Sequence, residues 1–209
     1  MSHGVHAVQH EVEHEIKHGD GHGGRKDLFN DVNKKVALLI GVLALFLAFS
    51  ETLGKSAQTG AISYNVEAAN LWAFFQAKNI RRTMVLTAGE EMAVNAGGVS
   101  NAVLKASMSK QIEAWQAIAA RYRSEPEVRE GTIELAERAK AAEQKRDTAM
   151  ARYHHYEVAS AAFQIGIVLA SATVITGMLV LTWLAVGLGG LGIIFMAIGL
   201  FVPHAVHLF

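Results

Sequence analysis

Two uninterrupted apolar stretches dominate the pattern along the chain. Val36 to Leu53 reads VALLIGVLALFLAFSETL with one charge, Glu51, near its end, and from Val158 to Phe209 there is no Asp, Glu, Lys or Arg. A span needs roughly 20 mainly apolar residues to cross a ~30 Å hydrocarbon core, so the first stretch supplies one short transmembrane helix and the second has room for two. Lipid offers no water to backbone N–H and C=O groups, so each span should be helical. The expected fold is an all-α integral membrane protein: a His-rich tail and basic linker over 1–35, spans over 36–53 and 158–183, a third span with the C-terminus over 184–209, and a central helical, candidate coiled-coil, domain over 54–157.

Within that central domain, Gly54 to Gly60 reads as a loop. Ala61 to about Ala96 lacks proline, contains only Gly89, and repeats its apolar residues at helical spacing. Gly97 and Gly98 should stop this helix. Ser100 or Asn101 can cap the next, whose apolar stripe is Leu104, Met108, Ile112, Trp115, Ile118 and Tyr122. A further helix is expected from an N-cap at Ser124, with Pro126 in its first turn. From there Val128, Leu135, Ala142, Ala149 and Tyr156 fall seven apart, a candidate coiled-coil seam whose alanines require close helix approach. Nothing in the sequence stops this helix before lipid, so it should enter the second span without a break. In that span Ala162, Gly166 and Ala170 lie four apart, a face suited to helix packing in a bilayer. Gly187 to Gly192 should turn the chain into the last span, which ends at Pro203.

Charge and composition narrow the functional classes. The 19 basic and 19 acidic residues cancel, leaving no global field of the kind that holds a nucleic-acid backbone, and nucleic acid is excluded as a partner. The absence of cysteine removes disulfides, thiolate metal sites and thiol nucleophiles. The first apolar run starts 35 residues in and lacks a small-residue cleavage pattern, so it should remain as an anchor. Basic residues flank both ends of that span: Arg25, Lys26, Lys34 and Lys35 before it, Lys55 after it, with Lys145, Arg146 and Arg152 ahead of the second. Because the first helix usually dominates, the N-terminus is expected inside and the central domain outside the cytoplasm.

Several groups of residues are candidates for chemistry. His6, His10, His14, His18 and His22 recur every four residues, and imidazoles so spaced on one helical face can ligate a divalent transition metal or charge together as pH falls. A solvated tail is the plainer reading of the same segment. Trp72 and Phe75, with Lys78, Arg81 and Arg82, could lie on a bilayer surface, although such aromatics more often form helix-to-helix core. Tyr153 and Tyr156, with His154 and His155 between them, suit an interfacial belt. Glu51 and Glu157 sit at span ends, where they can reach water. The letters GLGGLG at Gly187 match a dinucleotide loop, but the strand, the following helix and the distant acid that such a loop needs are missing. No nucleophile pairs with a base, so an enzyme is not expected and no cofactor is required.

The run Asn65, Val66, Glu67, Ala68, then Asn70, Trp72, Ala73, Phe74, Phe75, Gln76, Ala77, Lys78, Ile80 and Arg81 resembles the signature of a bacterial membrane-protein family known as domain of unknown function 4337. The likeness extends over the first span with Glu51 and over the Tyr153 to Tyr156 entry to the second. The resemblance implies a multi-pass protein of the bacterial inner membrane and carries over no activity, cofactor or catalytic residue. The expected role is a non-catalytic scaffold or accessory subunit in the lipid bilayer, which forms a homo-oligomer or joins a larger complex through the alanine seam and the small-residue faces. The competing expectation is a metal-responsive or ion-transport protein that uses the His-rich tail and an oligomeric pore built from the last two helices.

Overall fold

The computed structural model describes residues 23–205, with side chains from Val32 onward. Four helices account for almost all of it: α1 (Gly23–Gly97), α2 (Ala102–Arg123), α3 (Thr132–Thr176) and α4 (Leu179–Phe201). Three of them, α1, α3 and α4, are long and apolar enough to cross a membrane. The chain divides into two compact units. One, the apolar unit, comprises the described residues up to Gly54 together with His154–Ala205; the other, the charged unit, is Lys55–Tyr153.

Helix α1 departs from the sequence expectation at both predicted breaks. It begins at Gly23 rather than Val36, so the basic linker is helical, and it passes through the expected loop at Gly54 to Gly60 without interruption. A lone glycine in a helix interior costs only about 1 kcal/mol, which neighbouring packing readily offsets. Gly54 is buried, and a Cβ placed there would make an ordinary 3.5 Å contact with the Cβ of Tyr156, so this glycine is a packed helix position and does not make a turn. The helix does stop at Gly97 as expected. Asn101 then caps α2, its Oδ1 accepting from the N–H groups of Val103 at 3.0 Å and Leu104 at 3.2 Å.

The start of α3 also differs. Ser124 is the C-cap of α2, and α3 begins eight residues later at Thr132, where the Leu135 N–H donates to the carbonyl of Gly131 at 2.9 Å. Residues 124–131 form a turn that includes Arg129 at φ 54°. Ser124 and Pro126 suit a turn as well as a helix start, so the capping signal was ambiguous. Val128 is exposed in this turn and lies outside the seam. Leu135, Ala142, Ala149 and Tyr156 are all buried within the chain.

Helix α3 enters the second apolar stretch unbroken, as its sequence suggested, but ends at Thr176. The hairpin turn is at Gly177 and Met178, with Gly177 at φ 70° and its N–H donating to the Thr173 carbonyl at 2.8 Å. That is a left-handed helix C-cap, for which glycine is preferred. The expected turn at Gly187 to Gly192 is instead the middle of α4, which ends at Phe201, two residues before Pro203. Three of its glycines serve packing. Ala185, Gly189, Gly192 and Gly199 are buried on one face. A Cβ on Gly192 would come within 2.7 Å of Phe163 Cε1, and one on Gly189 within 2.7 Å of Leu43 Cδ2. Opposite them, Ala162, Gly166 and Ala170 of α3 are also buried, and a Cβ on Gly166 would meet both Leu43 Cδ1 and the Ala185 carbonyl at 3.3 Å.

Two cores result in the apolar unit, one of Leu43, Ala159 and Phe163, the other of Val36, Ala170 and Ala185. Phe46 stacks on Phe163 at 5.8 Å between ring centroids. These contacts predict opposite outcomes for neighbouring glycines. Gly192→Val should destabilise the helical fold by about 1–3 kcal/mol through overpacking, whereas Gly187→Ala and Gly190→Ala, which face open space, should be neutral or stabilise by up to about 1 kcal/mol through helix propensity. Thermal unfolding followed by circular dichroism in detergent would separate the two groups.

Candidate functional site

A cluster of polar contacts in the charged unit surrounds Lys78. This lysine is only 6% exposed, because its helix α1 turns it toward the α2–α3 corner on the face that also buries Leu71. Its Nζ lies 3.4 Å from Glu125 Oε2, 3.6 Å from Glu130 Oε2 and 5.3 Å from the ring centroid of Phe74. Arg121 donates to Glu125 Oε1 at 2.8 Å. Glu134, in the first turn of α3, accepts from the Ser124 hydroxyl at 2.6 Å and from the Glu125 N–H at 3.3 Å. The Thr132 hydroxyl donates to the Arg123 carbonyl at 3.2 Å. A buried ammonium is tolerated only when paired, and here two carboxylates and an aromatic face replace its water.

Electrostatics at this corner follow from those partners. The hydrogen bond from Arg121, together with the nearby Lys78, holds the Glu125 carboxyl below the usual carboxylate range. The Ser124 hydroxyl, followed by backbone N–H groups, does the same for Glu134. Glu125 in turn raises Arg121. Gly131 admits this arrangement, since a Cβ there would collide with Glu134 Oε2 and lie 2.6 Å from both Glu125 N and Ser124 Cα.

Further along the same unit, Trp72 Nε1 donates to Glu143 Oε1 at 2.9 Å and the indole meets Phe75 edge-on at 5.4 Å. Both rings pack on a core of Ala68, Leu71, Leu135, Ala139 and Ala142. Trp72 and Phe75, both half-buried, and Lys78, which is buried, thus contribute to the packing of this unit. Arg81 is exposed and Arg82 half-buried.

In the apolar unit the polar groups bond between or along helices. The Ser50 hydroxyl donates to the Tyr156 carbonyl at 2.9 Å, Gln164 donates to Glu51 Oε1 at 3.2 Å, and the Thr182 hydroxyl donates to Thr173 Oγ1 at 3.2 Å. Tyr153 is half-buried and Tyr156 is buried, so the latter is a packing residue and not part of an exposed interfacial belt. His155, which the sequence had grouped with that belt, is 1% exposed, stacks on Phe195 and has Nε2 3.1 Å from the Pro203 carbonyl. It ties the residue just beyond α4 to α3. No periodic signal distinguished it from His154 next to it.

The histidines His6, His10, His14, His18 and His22 lie outside the described residues. Among the described residues no group of three or more His, Cys, Asp or Glu is placed to hold a metal ion.

The fold defines a helical protein whose three long apolar helices are suited to cross a membrane. The chain belongs to the family described as Domain of unknown function (DUF4337), whose model matches residues 32–202. No curated protein and no solved structure matches it.

The corner should respond to pH in one direction. Glu125 and Glu134 have lowered folded values, so their contribution is present above the ordinary carboxylate range near ~4 and is lost as pH falls through those lowered values. Amide protection at residues 124–131, corrected for the intrinsic pH dependence of exchange, should fall on acidification through that range. Gly131→Ala should produce the same local loosening already at neutral pH.

Proposed function

We propose that the chain is a non-catalytic, multi-pass scaffold or accessory subunit of the bacterial inner membrane, anchored in the lipid bilayer and assembling with further subunits. One observation carries this reading. In the charged unit, α1 is apolar on two sides. One side, with Ala61, Ala68 and Leu71, is buried within the chain, while Ile62, Val66, Ile80 and Met84 on the roughly opposite side are exposed. An apolar side left exposed on a helix whose other apolar side already forms the core suits contact with a partner.

The surfaces first considered for assembly are already occupied within one chain. Leu135, Ala142 and Ala149 of the seam, and Ala162, Gly166 and Ala170 of the small-residue face, are buried by the chain's own helices. Assembly therefore falls to the exposed side of α1. Ser171, Thr173, Thr176 and Thr182, the hydroxyls suited to line a pore, are each hydrogen-bonded within the chain, and this favours packing over conduction.

Deleting residues 1–24 separates the scaffold from a metal-handling role. A scaffold keeps its assembly size on native electrophoresis of membrane extracts after the deletion. Loss of micromolar binding of zinc or nickel together with a change in assembly would favour the metal-responsive reading.

A further inference from the structure

We infer that the exposed side of α1 between Ile62 and Thr87 is a coiled-coil seam that pairs, parallel and in register, with the same seam of a second copy of this chain. The inference rests on the scaffold reading and names its partner.

The spacing comes first. Ile62, Val66, Ala69, Ala73, Gln76 and Ile80 alternate steps of four and three residues, the repeat that keeps a seam facing a partner helix over successive turns, and the pattern continues through Thr87. Every one of these positions is exposed. Ile62 and Ile80 are each 60% exposed and Val66 53%. Beside the seam, Met84 is 66% exposed. The Thr83 hydroxyl is occupied by the Asn79 carbonyl at 3.0 Å, which leaves its methyl to the seam. Gln76 is the one amide within the run, and a single polar residue at such a position fixes register and partner number.

Charge then selects the occupant. In a parallel pair related by a two-fold axis, each seam residue meets its own copy, so any charge on the seam would face a like charge. Between Ile62 and Thr87 no seam position carries a charge. Nor do the flanking positions that would meet a parallel partner, such as Asn65, Asn70, Ala77 and Asn79. The nearest charges, Glu67 and Arg81, each follow a seam residue directly and point to the side. A neutral face of this kind is complementary to itself. A bilayer surface would instead favour a rim of several cations.

Area explains how the copies are held together. Twenty-six residues at 1.5 Å rise give a seam of about 39 Å, which at a helix width of ~10 Å covers roughly 400 Å² per chain. The total of about 800 Å² falls short of the ~1,200 Å² typical of stable soluble interfaces. Because α1 also contains an apolar stretch suited to span a membrane, two copies inserted in one bilayer would present this seam in the same direction and at high effective concentration. Confinement supplies what the area lacks.

The chain has no cysteine, which makes the test direct. Val66→Cys, Ile80→Cys and, as a control beside the seam, Arg81→Cys would be introduced singly into the full chain and oxidised in native membranes. The expected result is disulfide-linked dimer at 66 and 80, exceeding that at 81 by on the order of tenfold, and loss of the Val66→Cys cross-link when Ile80→Glu is added, with helicity unchanged by circular dichroism. Equal cross-linking at all three positions would overturn the pairing. Quenching of a fluorophore on Ile80→Cys by brominated lipid, without dimer, would place this face on a bilayer and also overturn it. If Ile80→Glu leaves amine-cross-linked oligomers intact, the seam is wrong but the scaffold reading stands. If the unmodified chain is monomeric in membranes and recovers no partner, both fail.

Discussion

Close approach of helix backbones is the constraint on which the apolar unit depends. Lipid tails are as apolar as leucine, so helices in a bilayer gain little by hiding apolar side chains from their surroundings and associate through packing and hydrogen bonds. Dispersion attraction falls off steeply with separation, and a gap of half an ångström forfeits a large part of it. Small residues on α3 and α4 bring the helices into that range, and a few large side chains fill the remaining space. Leu43 meets Gly166 and Gly189, Phe163 meets Gly192, and Tyr156 meets Gly54 and Gly199. The pairing of Ser50 with the Tyr156 carbonyl uses the same proximity. A methyl group added at Gly189 or Gly192 would push apart the surfaces whose contact holds the unit.

The charged unit is held by a different balance. Where water is the competing environment, burying a side chain such as Leu71 or Leu135 is worth about 1.5–3 kcal/mol, and Trp72 and Phe75 extend that core. The α2–α3 corner has little apolar area and relies on polar satisfaction. Lys78 brings a charge into a site that would not tolerate it alone, and Glu125, Glu130 and Phe74 surround it. Glu134 then joins the start of α3 to the end of α2 through Ser124. Gly131 is the backbone condition for all of this, because any side chain there would occupy the space of the Glu134 carboxylate.

Helical content, the apolar stretches, the stop at Gly97 and the cap at Asn101 were legible in the sequence because each rests on local chemistry. The errors share one cause: a glycine or a capping residue has more than one use. Gly54, Gly187 and Gly192 have the composition of turn residues, yet their neighbours make them helix interior, and Gly192 is a position of tight contact. The residue that does turn the hairpin, Gly177, sits in a run whose hydropathy gives no warning. Ser124 has the chemistry of an N-cap, but its hydroxyl is engaged by a carboxylate ten residues on. The role of Lys78 was hidden for a similar reason, since a lysine beside aromatics fits both a membrane surface and a buried ion pair. Only its distances to Glu125 and Glu130, 47 and 52 residues away in sequence, decide between them.

Helix α1 poses the problem that a single chain does not solve. Its one side in the charged unit is needed for the core, and Ala61, Ala68 and Leu71 are explained by that alone. Nothing in the monomer requires Ile62, Val66, Ile80 or Met84 to be apolar, because solvent would accept glutamate or lysine there at almost no cost to helix propensity. Scattered exposed apolar residues are ordinary on protein surfaces. These four are not scattered: they share one side of one helix over more than twenty residues, and the positions between them, Ala69, Ala73, Gln76 and Thr83, carry no charge. A contiguous apolar strip of that kind is a liability for a solitary protein and an asset for one that meets a partner. The pairing inferred for this strip would reuse, on the outside of the charged unit, the constraint that orders the apolar unit: close approach along a face of small residues.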